Sequence, residues 1–494
     1  MNLSKSKYCK GIQCPKMLWM DKHKRELFDE SVMNQNILDS GNAVGNVAMG
    51  YYGDFAEVSF DYTNMQKMIE QTKELLQVDI PVICEATFEH SGDLCMVDIL
   101  RKDKDGYHLV EVKSSTEFKD IYLDDMAYQY HVVSSNGLPI KSISLMHINS
   151  KYVRCGDLDL EQLFTVKDYT EEVLAKQVGI AQRISRIKTV ASQDEEPRVD
   201  IGLYCEKPYK CGYQNYCWRH LPENSVFDIA GLWMSKKVDA YRQDIVSFED
   251  ALAANVKLSD KQLQQVLVEV GGLAPQIDKD AIRSFLSQLQ YPIYHFDFET
   301  FQQPIPLWDE VRPWRQIPFQ YSLHIQEYPG AEPIHKEYLA PAKGDTRRLL
   351  AKQLCIDIPK GSCVLAYHMS FERARLEELA ELFPDLSGHL RDICDHVIDL
   401  EIPFKSRSYY TREMKGRSSI KAVLPALCSD SPELDYTALG LIQVGTEASS
   451  AFATLATKSV EEQEVIRQAL LAYCRLDTLA MVKVLEKLYE VAEG

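Results

Sequence analysis

A chain of 494 residues, 45% hydrophobic and 26% charged, has apolar sequence for two or three cores at roughly 150 residues each. Its net charge of −18 argues against a generally basic nucleic-acid coat, while leaving room for a local basic groove. No apolar run reaches the ~18–20 residues of a membrane span, and the first ten residues lack the apolar stretch of a secretory signal, so a cytoplasmic location is expected.

Thirteen cysteines in that compartment are not expected to form a disulfide framework. Cys84, Cys95, Cys355, Cys363 and Cys394 stand singly in apolar contexts and read as small core residues.

From the N-terminus, Ser4 is placed to cap a first helix, which Cys14-Pro15 ends or interrupts. Residues 41–50 read as a close-packed helix with small side chains on one side. In 64–78, Met65, Met68, Ile69, Leu75 and Leu76 recur at helical spacing. Residues 82–88, 94–100 and 107–113 then form a predicted strand meander, with turns at 90–93 and 102–106. Residues 123–135 return to helix and carry Gln129.

Within the meander, Asp98 lies near the end of one strand, and Glu111 and Lys113 share a face of the next. The three can converge at a sheet edge. A carboxylate pair can bind Mg²⁺ and generate hydroxide, and a nearby lysine can orient the water or stabilise charge on a phosphate. The plain alternative is two acids and a lysine on a solvated hairpin.

Asp98, Glu111-Val-Lys113 and Gln129-Tyr130 resemble the RecB-like branch of the PD-(D/E)XK nuclease superfamily. The resemblance implies Asp98 and Glu111 as metal ligands, with Lys113 and Gln129 in the catalytic group. An upstream helix in that branch often adds a histidine. Here the stretch has Gly45 and Asn46, and Glu85, on the strand before Asp98, is the substitute ligand.

Beyond a helix predicted at 170–187, Cys205, Cys211 and Cys217 are spaced evenly by six in a Pro/Gly/Tyr-rich loop. Three thiolates call for a fourth ligand. Cys14 is the natural candidate and Cys9 the weaker one. Zinc and an iron–sulfur cluster both accept four thiolates, and spacing does not separate them. RecB-like nucleases of the CRISPR-adaptation type, and related helicase-nucleases, carry an N-terminal Cys-Pro and a later cysteine trio around a [4Fe-4S] cluster. Cys14-Pro15 and the trio resemble that order and placement, although the first gap is wider here. The resemblance implies a structural [4Fe-4S] cluster, with zinc as the alternative, closing a loop of about 190 residues.

Residues 221–288 read as a connector of short amphipathic helices at 225–233, 237–245, 250–254, 259–270 and 278–289. A strand follows at 294–300, Tyr-His-Phe-Asp-Phe-Glu-Thr. Phe296 and Phe298 point one way and Asp297 and Glu299 the other. Two carboxylates crowded on one face repel unless a cation lies between them, and Mg²⁺ or Mn²⁺ suits carboxylate oxygens. An irregular loop with Trp308 and Trp314 comes next, offering either base stacking or loop packing. Strands are predicted at 319–326 and 335–339, a helix at 345–354, and a buried strand at 363–367 that runs into a helix through His368-Met-Ser-Phe371-Glu372. A long helix at 460–488, with Ser459 as N-cap, carries Tyr473 and Asp477 on one face.

Asp297, Glu299, Glu372 and Asp477 could hold two metals about 4 Å apart for in-line attack on a phosphodiester, with Tyr473 orienting the attacking water. Phe296-Asp-Phe-Glu299 and Tyr473-x-x-x-Asp477 resemble the first and third motifs of DEDD exonucleases of RNase H-like fold, in the tyrosine-bearing subclass. The middle motif, usually Asn-x-x-Phe-Asp, is matched by His368-Met-Ser-Phe371-Glu372, with Asp399 as a reserve ligand. Lys405, Arg407, Arg412, Lys415, Arg417 and Lys421, interleaved with Tyr409 and Tyr410, suit an entering single strand.

The layout as a whole resembles uncharacterised bacterial proteins that fuse a RecB-like nuclease to such an exonuclease. The stretches 41–45, 205–217, 296–300, 317–320, 419–425 and 473–481 carry that likeness. The expectation is an α/β protein with a restriction-endonuclease-like PD-(D/E)XK domain at 1–220, a helical connector at 221–288 and an RNase H-like 3'-5' exonuclease domain at 289–494. It would hydrolyse DNA with Mg²⁺ or Mn²⁺, at single-stranded ends, in repair, recombination or defence, with no membrane partner. An RNA-directed nuclease, or a nucleic-acid-binding scaffold with inactive sites, are the alternatives.

Overall fold

The alternating stretch at 82–113 becomes the middle of a mixed sheet in the structure, a computed structural model that describes residues 2–33 and 35–493. The chain is mixed α/β and divides into two compact units. The first comprises Met1–Leu221 with Gln303–Trp314, and the second Pro222–Gln302 with Arg315–Gly494. The stretch expected as a connector falls, from Pro222 onward, within the second unit. No helix among the described residues is long and apolar enough to cross a membrane.

In the first unit the strands are β1 (Leu3–Ser4), β2 (Ala56–Glu57), β3 (Val82–His90), β4 (Asp93–Asp103), β5 (Gly106–Lys113), β6 (Ile140–Ile148) and β7 (Phe164–Asp168). They run in the order β2-β3-β4-β5-β6-β7, with β1 added parallel to β4. β3, β4 and β5 form the antiparallel meander, and β5 pairs parallel with β6 across the helix Asp120–Ser135. Side-chain alternation divides the core. Ile83, Leu100 and Leu109 pack with Tyr8, Met126 and Ile184 on one face. Cys84, Ile99 and Val110 pack with Val44 and Ala48 on the other. The helix expected at 170–187 is two helices, Thr170–Gln177 and Ile180–Ser192, because Gly179 takes a left-handed backbone (φ 78°) between them.

Gln303–Trp314 completes this unit through polar contacts. Arg154 donates from Nη1 to the carbonyls of Pro306 (2.9 Å) and Leu307 (3.0 Å). The Gly156 N–H donates to Asp309 (2.7 Å), and Trp314 Nε1 to the Ser114 carbonyl (3.0 Å). Ile305 and Trp314 pack against the Val44–Met146 core. Trp314 thus serves loop packing, one of its two expected roles.

In the second unit, β8 (Gln276–Ile277) pairs with β14 (Tyr409–Tyr410). The main sheet holds β9 (Ile293–Phe301), β10 (Ile317–Gln326), β11 (Ile334–Leu339), β12 (Cys363–Ala366) and β13 (Val397–Asp399), in the order β11-β10-β9-β12-β13. β9, β10 and β11 are antiparallel, while β12 runs parallel to β9 and β13 parallel to β12. Phe296 and Phe298 face a core with Tyr321, Leu323, Leu350, Leu376 and Ile393. The other face meets the long helix Val460–Glu493, where Gln320 donates to the Leu470 carbonyl (2.9 Å) and Ser322 bonds Thr478 (2.7 Å).

That polar face also carries His295, which bonds Gln326 (2.9 Å), and His324, which bonds Thr478 (2.8 Å). Their neighbour His335 bonds Ser322 (3.0 Å). Burial holds the three imidazoles down from 6.5, to about 4, 3 and 4 for His295, His324 and His335. An unfolded chain takes up these protons below pH 6.5 and the folded chain does not. Their contribution to stability is therefore complete above 6.5 and declines as the pH falls towards 4. In an NMR titration the three imidazoles should keep neutral-form shifts down to about pH 5. Titration of any of them near 6.5 would refute this.

Candidate active sites

In the second unit, strand alternation puts Asp297 and Glu299 side by side beneath the long helix. The i,i+4 spacing of that helix brings Tyr473 and Asp477 to the same place. Oxygens of Asp297 and Glu299 and the sulfur of Cys474 all lie within 4.8 Å of one another. Cys474, not anticipated from sequence, has its thiol 3.9 Å from Asp297 Oδ2. Glu372 enters from the first turn of the helix Ser370–Leu382, which leaves the end of β12 through a turn at His368 (φ 66°). That turn is held by Asp399, which accepts from the N–H groups of His368 (2.9 Å) and Glu401 (3.0 Å), and by Glu401 on His368 Nδ1 (3.0 Å). Asp399, the reserve ligand, thus shapes the turn. Glu372 is only 3% exposed and its Oε2 has no hydrogen-bond partner.

The electrostatics are those of a negative cluster that Lys421 and Arg375 offset in part without pairing with it. Burial, then Asp477 and Glu299, push the Asp297 carboxyl well above the usual range. Burial and Asp477 do the same to Glu299. Burial carries Glu372 up to about 8 and Asp477 up to about 6. Among the described residues none of the four carboxylates forms an ion pair. The nearby Lys421 instead donates to the Tyr473 hydroxyl (3.1 Å) and the Gln443 carbonyl (2.9 Å). Tyr436, also unanticipated, donates to Asp477 Oδ1 (2.6 Å), fixing one oxygen of that carboxylate. Four clustered acids, three buried and Asp297 half-buried, and an orphaned carboxylate oxygen form a donor set suited to hard divalent cations.

In the first unit, Asp98, Glu111, Lys113 and Gln129 do come together. Gln129 Nε2 donates to Glu111 Oε2 (2.5 Å), and Lys113 pairs with both Glu111 and Asp125. Asp98 Oδ2 accepts from the Val112 N–H (2.7 Å). Glu85 lies opposite Asp98 on β3 with a left-handed backbone (φ 57°), a conformation that costs a glutamate about 1 kcal/mol or more. Burial, then Asp98, push its carboxyl up to about 7.

Two further residues complete this site. Asp125 stands one helical turn before Gln129, a spacing visible in the sequence. Lys5 reaches in from the helix Lys5–Gln13, and no local pattern announces it. Its Nζ lies 3.0 and 3.1 Å from the two oxygens of Glu111 and 3.3 Å from Asp98 Oδ1. Burial and then Glu111 push Asp98 up to about 6. Burial would also raise Glu111, but Lys113 and Lys5 outweigh it and hold that carboxyl well below the usual range. The two acids expected to hold a metal are therefore already bridged by an ammonium.

Cys14, Cys205, Cys211 and Cys217 line one cavity of about 230 Å³ in the same unit. Cys9 lies in a different cavity, beside Lys113 and Asp125. Burial raises all four thiols of the quartet, Cys211 to about 12, and neighbouring sulfurs add to the effect at Cys14, Cys211 and Cys217.

The basic segment differs from its expected form. Tyr410 is buried, and Arg407 lies over its ring and donates to the Gly416 carbonyl (2.6 Å). Arg412 pairs with Glu269 and Lys405 with Glu401. Lys415 and Arg417 remain exposed. The aromatic at 410 is committed to packing, because β14 closes against β8.

The comparison with curated proteins finds no match to the chain. A family model described as a domain of unknown function, DUF2779, matches residues 294–419, a span that contains Asp297, Glu299 and Glu372 but not Tyr473 or Asp477.

Proposed function

We propose that the protein is a metal-dependent nuclease whose hydrolytic centre is the carboxylate cluster of the second unit. The observation that carries this reading is the cluster of four acids, Glu299, Glu372 and Asp477 buried and Asp297 half-buried, with no paired cation. These residues would hold Mg²⁺ or Mn²⁺, which when bound supply Lewis-acid polarisation of a phosphodiester and an activated water. The chain's own part is preorganisation. Tyr436 fixes Asp477, the His368 turn fixes Glu372, and Lys421 anchors the Tyr473 hydroxyl at the edge of the cluster.

In this reading the second unit is an RNase H-like fold of the DEDD type, with Tyr473 as its tyrosine. The first unit is a RecB-like PD-(D/E)XK fold. Three antiparallel strands followed by two parallel ones, with the acids on the central β9, support the former. The β3–β5 meander and its crossover helix support the latter.

The cysteine quartet is read as the clamp of a [4Fe-4S] cluster. Four sulfurs around one zinc, at about 2.3 Å each, stand ~3.8 Å apart. Cys14, Cys205, Cys211 and Cys217 share one cavity of about 230 Å³. A cavity between them suits a larger group. Purified protein should be brown and bleach with dithionite; a colourless protein that releases zinc would overturn the cluster.

DNA with single-stranded ends is the proposed substrate. End-labelled single- and double-stranded DNA and RNA should be tested with Mg²⁺ or Mn²⁺, comparing the protein with Glu299→Gln. Metal-dependent cleavage of DNA that Glu299→Gln removes is expected. Preference for RNA would move the substrate to the alternative. Cleavage of none of them would leave the binding scaffold.

A further inference from the structure

We propose that Lys5 is the resident cation of the first unit's carboxylate site, and that this site takes up no divalent ion while Lys5 is in place. The position is built rather than accidental. Leu3, two residues earlier, is fully buried, its N–H donates to the Gly92 carbonyl (2.9 Å), and Tyr128 donates to its carbonyl. Ser4 caps the helix that begins at Lys5. At the far end of that helix, Gln13 Nε2 donates to the carbonyls of Tyr204 and Tyr209 (2.7 Å each), and Cys14 enters the cysteine cavity. With both ends fixed, the lysine has one place to go, and its ammonium lies within 3.3 Å of Asp98 and both oxygens of Glu111.

The ion pairs agree. Three acids, Asp98, Glu111 and Asp125, meet two ammonium groups, Lys5 and Lys113, directly, while Glu85, close to Asp98 and Lys5, is raised to about 7 by burial and Asp98. A dication placed between Asp98 and Glu111 would have to displace the Lys5 ammonium from both carboxylates, or share the site with it against like-charge repulsion. The cluster of the second unit has no such occupant. The inference rests on the proposed metal-dependent reading only in assigning hydrolysis to that second cluster.

The test counts Mn²⁺ on the full-length protein by electron paramagnetic resonance. The background is Asp297→Asn with Glu299→Gln, which removes the second cluster. In that background no Mn²⁺ should bind with Glu111 dependence. Adding Lys5→Met should create one Mn²⁺ site, and a further Glu111→Gln should abolish it. Lys5→Arg, which keeps the charge, should leave the site closed. If the background protein already binds one Mn²⁺ that Glu111→Gln removes, the proposal fails. It also fails if Lys5→Met or Lys5→Gln, folded by circular dichroism, gains none. Mn²⁺ on the otherwise unaltered protein that vanishes with Asp297→Asn reports on the second cluster alone, so the two readings can fail separately.

Discussion

Asp297→Asn should abolish metal-dependent hydrolysis and yet raise the melting temperature of the metal-free protein. On the proposed reading the loss follows from removing a charged metal ligand from the central strand: about 4 kcal/mol of transition-state stabilisation is on the order of 10³-fold in rate. The gain follows from the repulsion at the cluster. Burial, Asp477 and Glu299 hold the Asp297 carboxyl well above its ordinary value. An unfolded chain releases this proton near pH 4, whereas the folded chain keeps it to higher pH. The stability linked to that proton is present at low pH and is lost as the pH rises through the folded value. Asparagine has the same shape and no charge, so its advantage should grow with pH. At ~1–2 kcal/mol it would amount to roughly 2–6 °C. Saturating Mn²⁺ should reverse the order, stabilising the protein that retains Asp297 by mass action and leaving the variant unmoved. Thermal melts with and without Mn²⁺ at pH 6 and 8 decide it. A destabilised variant in metal-free buffer, with no Mn²⁺ effect on the parent, would mean that the acids serve packing alone.

Glu111→Ala should have the opposite effect in the first unit. Glu111 is 1% exposed and receives Lys5, Lys113 and Gln129. Its removal leaves two ammonium groups facing each other without their shared partner. Breaking a buried pair in this way costs about 3–5 kcal/mol. Lys5→Met in the Glu111→Ala background should recover part of the loss, and a double-mutant cycle measures the coupling. Burial pushes Glu111 up, but Lys113 and Lys5 prevail, so its folded value is depressed. Its contribution is thus present at neutral pH, begins to decline as the pH falls through the ordinary carboxylate range and is gone only in acid well below it. Urea midpoints supply the comparison; a neutral Glu111→Ala would show that the network is solvated and that Lys5 is not held.

The two sites differ in how much of them can be read from one dimension. Asp297 and Glu299 alternate with two phenylalanines, and Tyr473 and Asp477 stand a helical turn apart. Both patterns follow from backbone periodicity, so both were legible. Asp125 shares a helix face with Gln129 by the same rule and could have been found. Lys5, Tyr436 and Cys474 reach their sites through the packing of distant segments, which no local spacing encodes. Cys9 and Cys14 are separated by little more than a turn of helix, yet the fold sends them to different cavities. Tyr410 read as a stacking platform because its basic neighbours are local, whereas its partner strand β8 is more than 130 residues earlier.

The excursion of Gln303–Trp314 into the first unit bears on the order of synthesis. A ribosome delivers the first 221 residues well before Ile305 and Trp314 emerge, so the first unit's apolar face waits, unsealed, while Pro222–Gln302, β9 included, is being made. Cutting the chain at the apparent boundary would therefore not isolate a finished domain. It would leave Arg154 and the Ser114 carbonyl without their partners and an apolar hollow where the indole belongs, and such a fragment should be prone to aggregation. A faithful dissection would carry the 303–314 segment with it, spliced back through a short linker.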